Sequence, residues 1–255
     1  MRTTAVFNYK GGVGKTTTCI NLGAELAADG KRVLLIDADG QCNLSEFFDA
    51  DMEAGSLYEV LTGTEPYYEN LIQATRWDRL AVLPSSDELA TIELTALTGG
   101  EALRQNSIRD LCAALAEAAA FDCVLIDCPP SFSPQSLAAL VAADDIIVPL
   151  TPDRFAVTGL RDVARSVAGA RKINEGLCIA GVLLTMTDRT AVSRDAEAAV
   201  RESGFPVFGT TIHASAWARR MTFDRGPLRE FCSWSTIALD YAALAKEYMG
   251  GAENG

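Results

Sequence analysis

The sequence has no long apolar run. Stretches such as "VLLI", "CVLI" and "IIVPL" are four to five residues each, against the ~18 or more that a membrane-spanning helix needs. It has a single histidine, His213, which argues against a histidine-based zinc site or a Ser-His-Asp triad and leaves a structural or binding role. Its 7 cysteines include no C-x-x-C pair and are odd in number, a pattern of reduced, mostly buried thiols expected of a cytoplasmic protein. The chain enters a β-like run at once, so no signal peptide is expected. There is no internal repeat and no low-complexity tract. Positive charge is scarce: 22 Lys and Arg stand against 34 Asp and Glu, a net charge of -12. The deficit is uneven. Residues 1–127 hold 9 basic and 20 acidic side chains, whereas residues 128–255 hold 13 and 14. Such a protein repels nucleic acid overall, so any DNA contact has to come from a local patch in the C-terminal half.

What is present is a full core and a steady rhythm. Of 255 residues 49% are apolar, enough for one large α/β domain over residues 1–250, with 251–255 as a flexible tail. Short runs rich in Val, Ile, Leu and Phe predict strands near 3–8, 32–37, 80–84, 122–127, 145–150, 178–185 and 206–210. Helical periodicity marks 15–29, 103–120, 157–173, 190–203 and 234–249. Strands alternating with helices predict a three-layer α/β/α fold with a twisted, mainly parallel sheet. In such sheets ligands lie beyond the carboxyl ends of the strands.

The chemistry-bearing residues fall at those ends. "FNYKGGVGKTTTCIN" lies between the first strand and the first helix. It nearly spells the phosphate loop G-x-x-x-x-G-K-[ST], but Tyr9 stands where the leading glycine belongs, and an extra lysine, Lys10, follows. Gly11, Gly12 and Gly14 let backbone N–H groups around Val13 converge on an anion at a helix N-terminus. Lys15 is placed to reach the β- and γ-phosphates, and the Thr16 hydroxyl to bind Mg²⁺, with Thr17 beside it. The second element, "VLLIDADGQCN", ends an apolar strand at Asp37 and sets Asp39 two residues on, a candidate to orient or deprotonate an attacking water. The third, "FDCVLIDCPPS", leads to Asp127 in a Walker B pattern, a carboxylate for the metal ion. Each supplies a different part of one phosphoryl-transfer site.

With "VPLTPDRFAVTGL" and "GVLLTMTDRT" added, these motifs resemble the ParA/MinD family of deviant Walker ATPases, and most of all its short, Soj-type partition members. The likeness runs over roughly residues 2–249. It implies an ATPase that uses ATP and Mg²⁺ and forms a nucleotide-sandwich homodimer. Lys10 would reach across to the partner's phosphates while Lys15 acts in its own subunit. The resemblance also places Asn43 in the first switch, and it implies nonspecific DNA binding and a ParB-like partner that stimulates hydrolysis. The cargo would be a plasmid, an integrative element or a chromosome, and the location cytoplasmic and nucleoid-associated. Two departures stand out. Gly40 replaces the proline usual after the second aspartate, and the adenine-contacting I-P-R-N reads "IHAS", with His213 and Ser215 at the proline and asparagine positions.

Weaker signals concern partners. Arg219, Arg220, Arg225 and Arg229 cluster near the C-terminus, and Arg154, Arg161, Arg165, Arg171 and Lys172 form a second basic run. Both read either as solvated helix faces or, by the resemblance, as phosphate contacts to DNA. The C-terminal stretch "STIALDYAALAKEYMGGAENG" has one lysine, a poor match to the basic membrane-binding helix of MinD-type relatives. Two other classes stay open: a P-loop metabolic ligase or amidotransferase, and a positioning ATPase for a cargo other than DNA.

Overall fold

A computed structural model describes residues 1–65, 67–92 and 104–252. Its centre is an eight-stranded sheet in the order β3-β4-β2-β5-β1-β6-β7-β8. The strands are β1 (Arg2–Val6), β2 (Val33–Asp37), β3 (Gln73–Ala74), β4 (Leu80–Leu83), β5 (Cys123–Asp127), β6 (Asp145–Leu150), β7 (Cys178–Thr187) and β8 (Ile212–His213). All pairings are parallel except that of the short edge strand β3. The helices are α1 (Lys15–Ala28), α2 (Asn43–Phe47), α3 (Leu57–Thr62), α4 (Ser107–Glu117), α5 (Pro134–Ala142), α6 (Ala156–Ala170), α7 (Ala191–Arg201), α8 (Ala216–Asp224), α9 (Leu228–Cys232) and α10 (Thr236–Ala252).

Alternation along the strands sorts the core into two layers. Leu34, Ile36, Val124 and Ile126 face one layer with residues of α3 to α7. Val33, Leu35, Cys123 and Leu125 face the other with α1, α2 and α8 to α10. Strands buried on both faces must be apolar at consecutive positions, which is why "VLLI" and "CVLI" show no polar alternation. Each fully buried Leu or Ile contributes roughly 1.5–3 kcal/mol. Helix starts follow local chemistry. Ser56 and Glu59 form a capping box on α3, Ser133 caps α5 with Pro134 at the first position, and Thr190 caps α7. A polar knot joins the last helix to the sheet: Asp145 accepts from Arg2 Nε at 2.7 Å and from Thr4 Oγ1 at 2.7 Å, and Thr4 Oγ1 lies 2.7 Å from the Tyr248 hydroxyl.

Most expected elements are present with ends moved by a few residues. The expected strand at 206–210 is not one. Only Val207 makes a bridge, to Val182. Pro206 has no N–H to give, and the N–H groups of Gly209 and Thr210 turn to the Glu247 carboxylate at 2.6 and 2.9 Å instead of a ladder. The edge strand is β8, a few residues on. The last helix runs to Ala252, past the expected end at 249. Residue 103 of the expected 103–120 helix and residues 253–255 of the expected tail lie outside the described residues. The short helices α2, α3, α8 and α9 carry too few turns for periodicity to mark them.

Candidate active site

Four strand ends converge at one edge of the sheet. The loop from Phe7 to Gly14 leaves β1 and enters α1. Asn8 pins it: its side-chain N–H donates to the Pro149 carbonyl at 2.7 Å and its oxygen accepts from the Lys10 N–H at 3.1 Å. Val13 is fully buried, and its carbonyl accepts from the Thr185 hydroxyl at 2.8 Å. Gly12 and Gly14 have φ of 72° and 89°, backbone that side chains rarely adopt. Gly14 stands at the N-cap of α1, which has no side-chain cap. The N–H groups of the first turn are therefore left to an outside anion.

The sequence candidates gather around this loop. Lys15 is buried, with its ammonium donating to the Lys10 carbonyl at 3.2 Å. Thr16 Oγ1 donates to Asp127 Oδ2 at 2.6 Å. The other oxygen, Asp127 Oδ1, is buried without a hydrogen-bond partner among the described residues. A buried polar atom left bare costs roughly 1–3 kcal/mol, so this one is suited to a ligand that the site would hold. Asp127 lies directly beside Asp37 in register. Burial first, then the Asp37 charge, push the Asp127 carboxyl well above the usual range, with Thr16 and Lys15 pulling it back. Burial pushes Asp37 up to about 6, opposed by hydrogen bonds from the Ser45 hydroxyl, the Ser45 N–H and the Asp39 N–H. Two adjacent carboxylates, an unpaired oxygen and a threonine hydroxyl make a site that fits a hard divalent cation.

Asp39 begins the turn before α2. Its carboxylate accepts from the Gln41 N–H at 3.0 Å and its carbonyl from the Ser85 hydroxyl at 2.8 Å. Asn43 is the exposed first residue of α2, after Cys42 in a left-handed conformation. Lys10 is not at the phosphate cradle. Its ammonium pairs with Asp153 after β6 and donates to Thr151 Oγ1 at 3.1 Å, on a side chain 53% exposed. It faces outward from the loop, on the opposite errand from Lys15.

A cleft of about 530 Å³ runs from Gly14 and Thr17 along Thr185, Met186 and Tyr241 to Ile212, His213 and Ser215. It is of the size of a nucleoside. Ser215 Oγ also caps α8, accepting from the Trp217 N–H at 3.2 Å. Sequence reasoning named Asp37 only in passing and missed Thr185, Met186 and Tyr241. Asp37 had a signal, since it ends an apolar strand as Asp127 does. Met186 had none: its φ of 53° at a bulge of β7 appears only in the fold.

The two arginine groups are not brought together. α6 packs in one layer and α8 with α9 in the other. Arg219 lines the cleft. Arg220 pairs with Asp224 at 2.5 Å, Arg225 with Asp49, and Arg229 with Glu25 at 2.7 Å. On α6, Arg165 pairs with Asp162 at 2.8 Å, while Arg161 is exposed and has no ion pair among the described residues. Three of the four arginines of the cluster near 219 are therefore paired with acidic neighbours, whereas in the run from 154 to 172 only Arg165 is paired among the described residues.

Residues 1–179 match a protein family described as an AAA domain. The chain is 37% identical over 231 residues to the chromosome partitioning protein ParA of Caulobacter vibrioides, covering 89% of this chain and 84% of that protein. It is 36% identical to the chromosome-partitioning ATPase Soj of Thermus thermophilus, covering 98% and 96%. Among solved structures it resembles cobyrinic acid a,c-diamide synthase from Mycobacterium smegmatis with bound ADP and magnesium. The TM-score there is 0.82 at 32% identity, covering 99% of this chain and 96% of that one.

Proposed function

Because the chain belongs to the ParA/Soj family of partition ATPases, we propose that it hydrolyses ATP with Mg²⁺ as a switch between a monomer and a nucleotide-sandwich homodimer. In the dimer it binds DNA nonspecifically. A ParB-like partner stimulates hydrolysis, and the cycle segregates a replicon in the cytoplasm, on the nucleoid. No described helix is long and apolar enough to cross a membrane.

The observation that carries this reading is the bare Oδ1 of Asp127 beside Thr16, at the uncapped start of α1. Thr16 and Asp127 would hold the metal ion, which would supply charge neutralisation for the phosphates. Lys15 leaves the Lys10 carbonyl for the phosphate oxygens. Asp39 orients the attacking water. Lys10 leaves Asp153 for the triphosphate of the second subunit, so that the dimer depends on nucleotide. His213 and Ser215 sit along the base. Arg161 and Arg219, two arginines of these groups without an ion pair among the described residues, are the first candidates for DNA phosphates, ahead of Arg220, Arg225 and Arg165, which each have one.

The test is size-exclusion chromatography with light scattering, using Mg²⁺ and a nonhydrolysable ATP analogue, with and without duplex DNA. A dimer that forms only with nucleotide and retains DNA supports the proposal. A protein that stays monomeric at saturating nucleotide points instead to a metabolic ligase or amidotransferase. A dimer that ignores DNA points to a different cargo.

A further inference from the structure

The wall of the cleft farthest from the phosphate loop is built around the one histidine of the chain. His213 ends β8, and its backbone N–H and its ring Nδ1 both lie 2.9 Å from the same oxygen, Asp240 Oδ2, on α10. Asp240 is well covered while the His213 ring is half exposed. An ionised carboxylate can only accept hydrogen bonds. Nδ1 must therefore carry the proton, and in the neutral ring Nε2 is left with a lone pair. The fold has thus fixed a tautomer, and the free nitrogen is an acceptor.

The rest of the lining sharpens the consequence. Met186, Ile212, Ala216, Ala218 and Ile237 present apolar surface suited to the faces of a flat ring. Thr185 spends its hydroxyl proton on the Val13 carbonyl, and Tyr241 is engaged with Thr18. Ser215 Oγ accepts from the Trp217 N–H, so its own proton is free to donate. Arg219 of α8 and Asp240 of α10 are the charged groups at this wall. The lining of the cleft therefore includes a residue with a spare acceptor, His213, and one with a spare donor, Ser215.

The geometry points to His213, held by Asp240, as the specificity-determining residue for the base: its Nε2 accepts from an exocyclic amine and rejects a 6-oxo group. This rests on the nucleotide reading above. A 6-aminopurine offers an N–H donor beside ring nitrogens that accept, which matches the pair. Hypoxanthine and guanine present a carbonyl oxygen at that position, lone pair against lone pair. Asp240 is a positioning residue, since it touches the imidazole and not the base.

The experiment measures binding of ATP, ITP and purine riboside triphosphate to the full chain with Mg²⁺ at pH 8. Wild type is expected to prefer ATP over ITP by roughly tenfold or more, the effect of one hydrogen bond made against one repelled. In His213→Ala and Asp240→Ala the ratio should collapse toward unity, while ATP affinity itself falls less. Equal losses for ATP and ITP in His213→Ala would mean a structural residue only and would overturn the inference. No ATP binding by wild type would overturn it together with the nucleotide reading, whereas ATP binding with no preference over ITP overturns the inference alone. A second measurement needs no variant. With ¹⁵N-labelled histidine the one ring reports its own tautomer. Protonated Nδ1 with an Nε2 resonance that shifts on adding ATP supports the assignment, and protonated Nε2 in the neutral ring refutes it.

Discussion

Replacing Asp127 by asparagine should stabilise the metal-free protein and make it blind to magnesium. The carboxylate is 1% exposed, next to a second buried carboxylate, Asp37, and one of its oxygens has no partner. Its ionised form is held at the end of α1 at a cost in free energy, which is what a raised pKa means. For Asp37, a rise from 3.8 to about 6 corresponds to roughly 3 kcal/mol between the two protonation states. Asparagine keeps an oxygen to accept the Thr16 hydroxyl and places an amide N–H where the bare oxygen stood, beside Asp37. The charge and its repulsion disappear together. Removing that cost should raise the melting temperature at pH 8 in EDTA, on a scale of ~2–4 °C per kcal/mol for a chain of this size. Wild type should gain on adding Mg²⁺ and a nonhydrolysable ATP analogue, by about 2.7 kcal/mol at a hundredfold excess over its dissociation constant. The variant should lose the magnesium-dependent part of that gain. Differential scanning fluorimetry reads both numbers. A variant that melts lower than wild type in EDTA, or that responds equally to magnesium, would refute the claim that this oxygen is kept bare for the metal.

Three further outcomes follow from the same geometry. Lys15→Ala should abolish nucleotide binding, while Lys10→Ala should retain it and lose the nucleotide-dependent dimer; equal dimerisation in Lys10→Ala and wild type, by light scattering, would contradict the action of Lys10 across subunits. Between about pH 4 and 6 the folded metal-free protein keeps a proton on Asp37 that the unfolded chain has released, so stability should fall as pH rises through that window and level off above it; urea midpoints in EDTA that climb over the same range would argue against this. Gly181→Ala should cost about 1–3 kcal/mol by overpacking, because a Cβ there would sit 2.6 Å from the Phe208 ring; unchanged urea midpoints would show that the ring moves freely.

The convergence of the candidate site was legible early because its residues are tied to strand ends. Asp39, Asp127 and the loop from Lys10 to Thr17 each follow an apolar run, and a parallel sheet brings all such ends to one side. The base cleft was less so. His213 and Ser215 were named through a resemblance, yet the partner that fixes the histidine, Asp240, is 27 residues away on another helix. How far the basic clusters are paired was hidden for a similar reason. Counting arginines ignores Asp49 and Glu25, which the fold lays against Arg225 and Arg229 from distant parts of the chain.

By itself the sequence determined the layered fold, the place of the phosphate loop and the two carboxylates behind it, since these depend on periodicity and on residues a few positions apart. Only the tertiary structure decided which polar atoms would be left unpaired. The bare oxygen of Asp127, the contact between His213 and Asp240, the outward tether of Lys10 and the pairing of Arg225 and Arg229 all arise where segments far apart in the chain meet. Burial and pairing are properties of that meeting, and no local pattern encodes them.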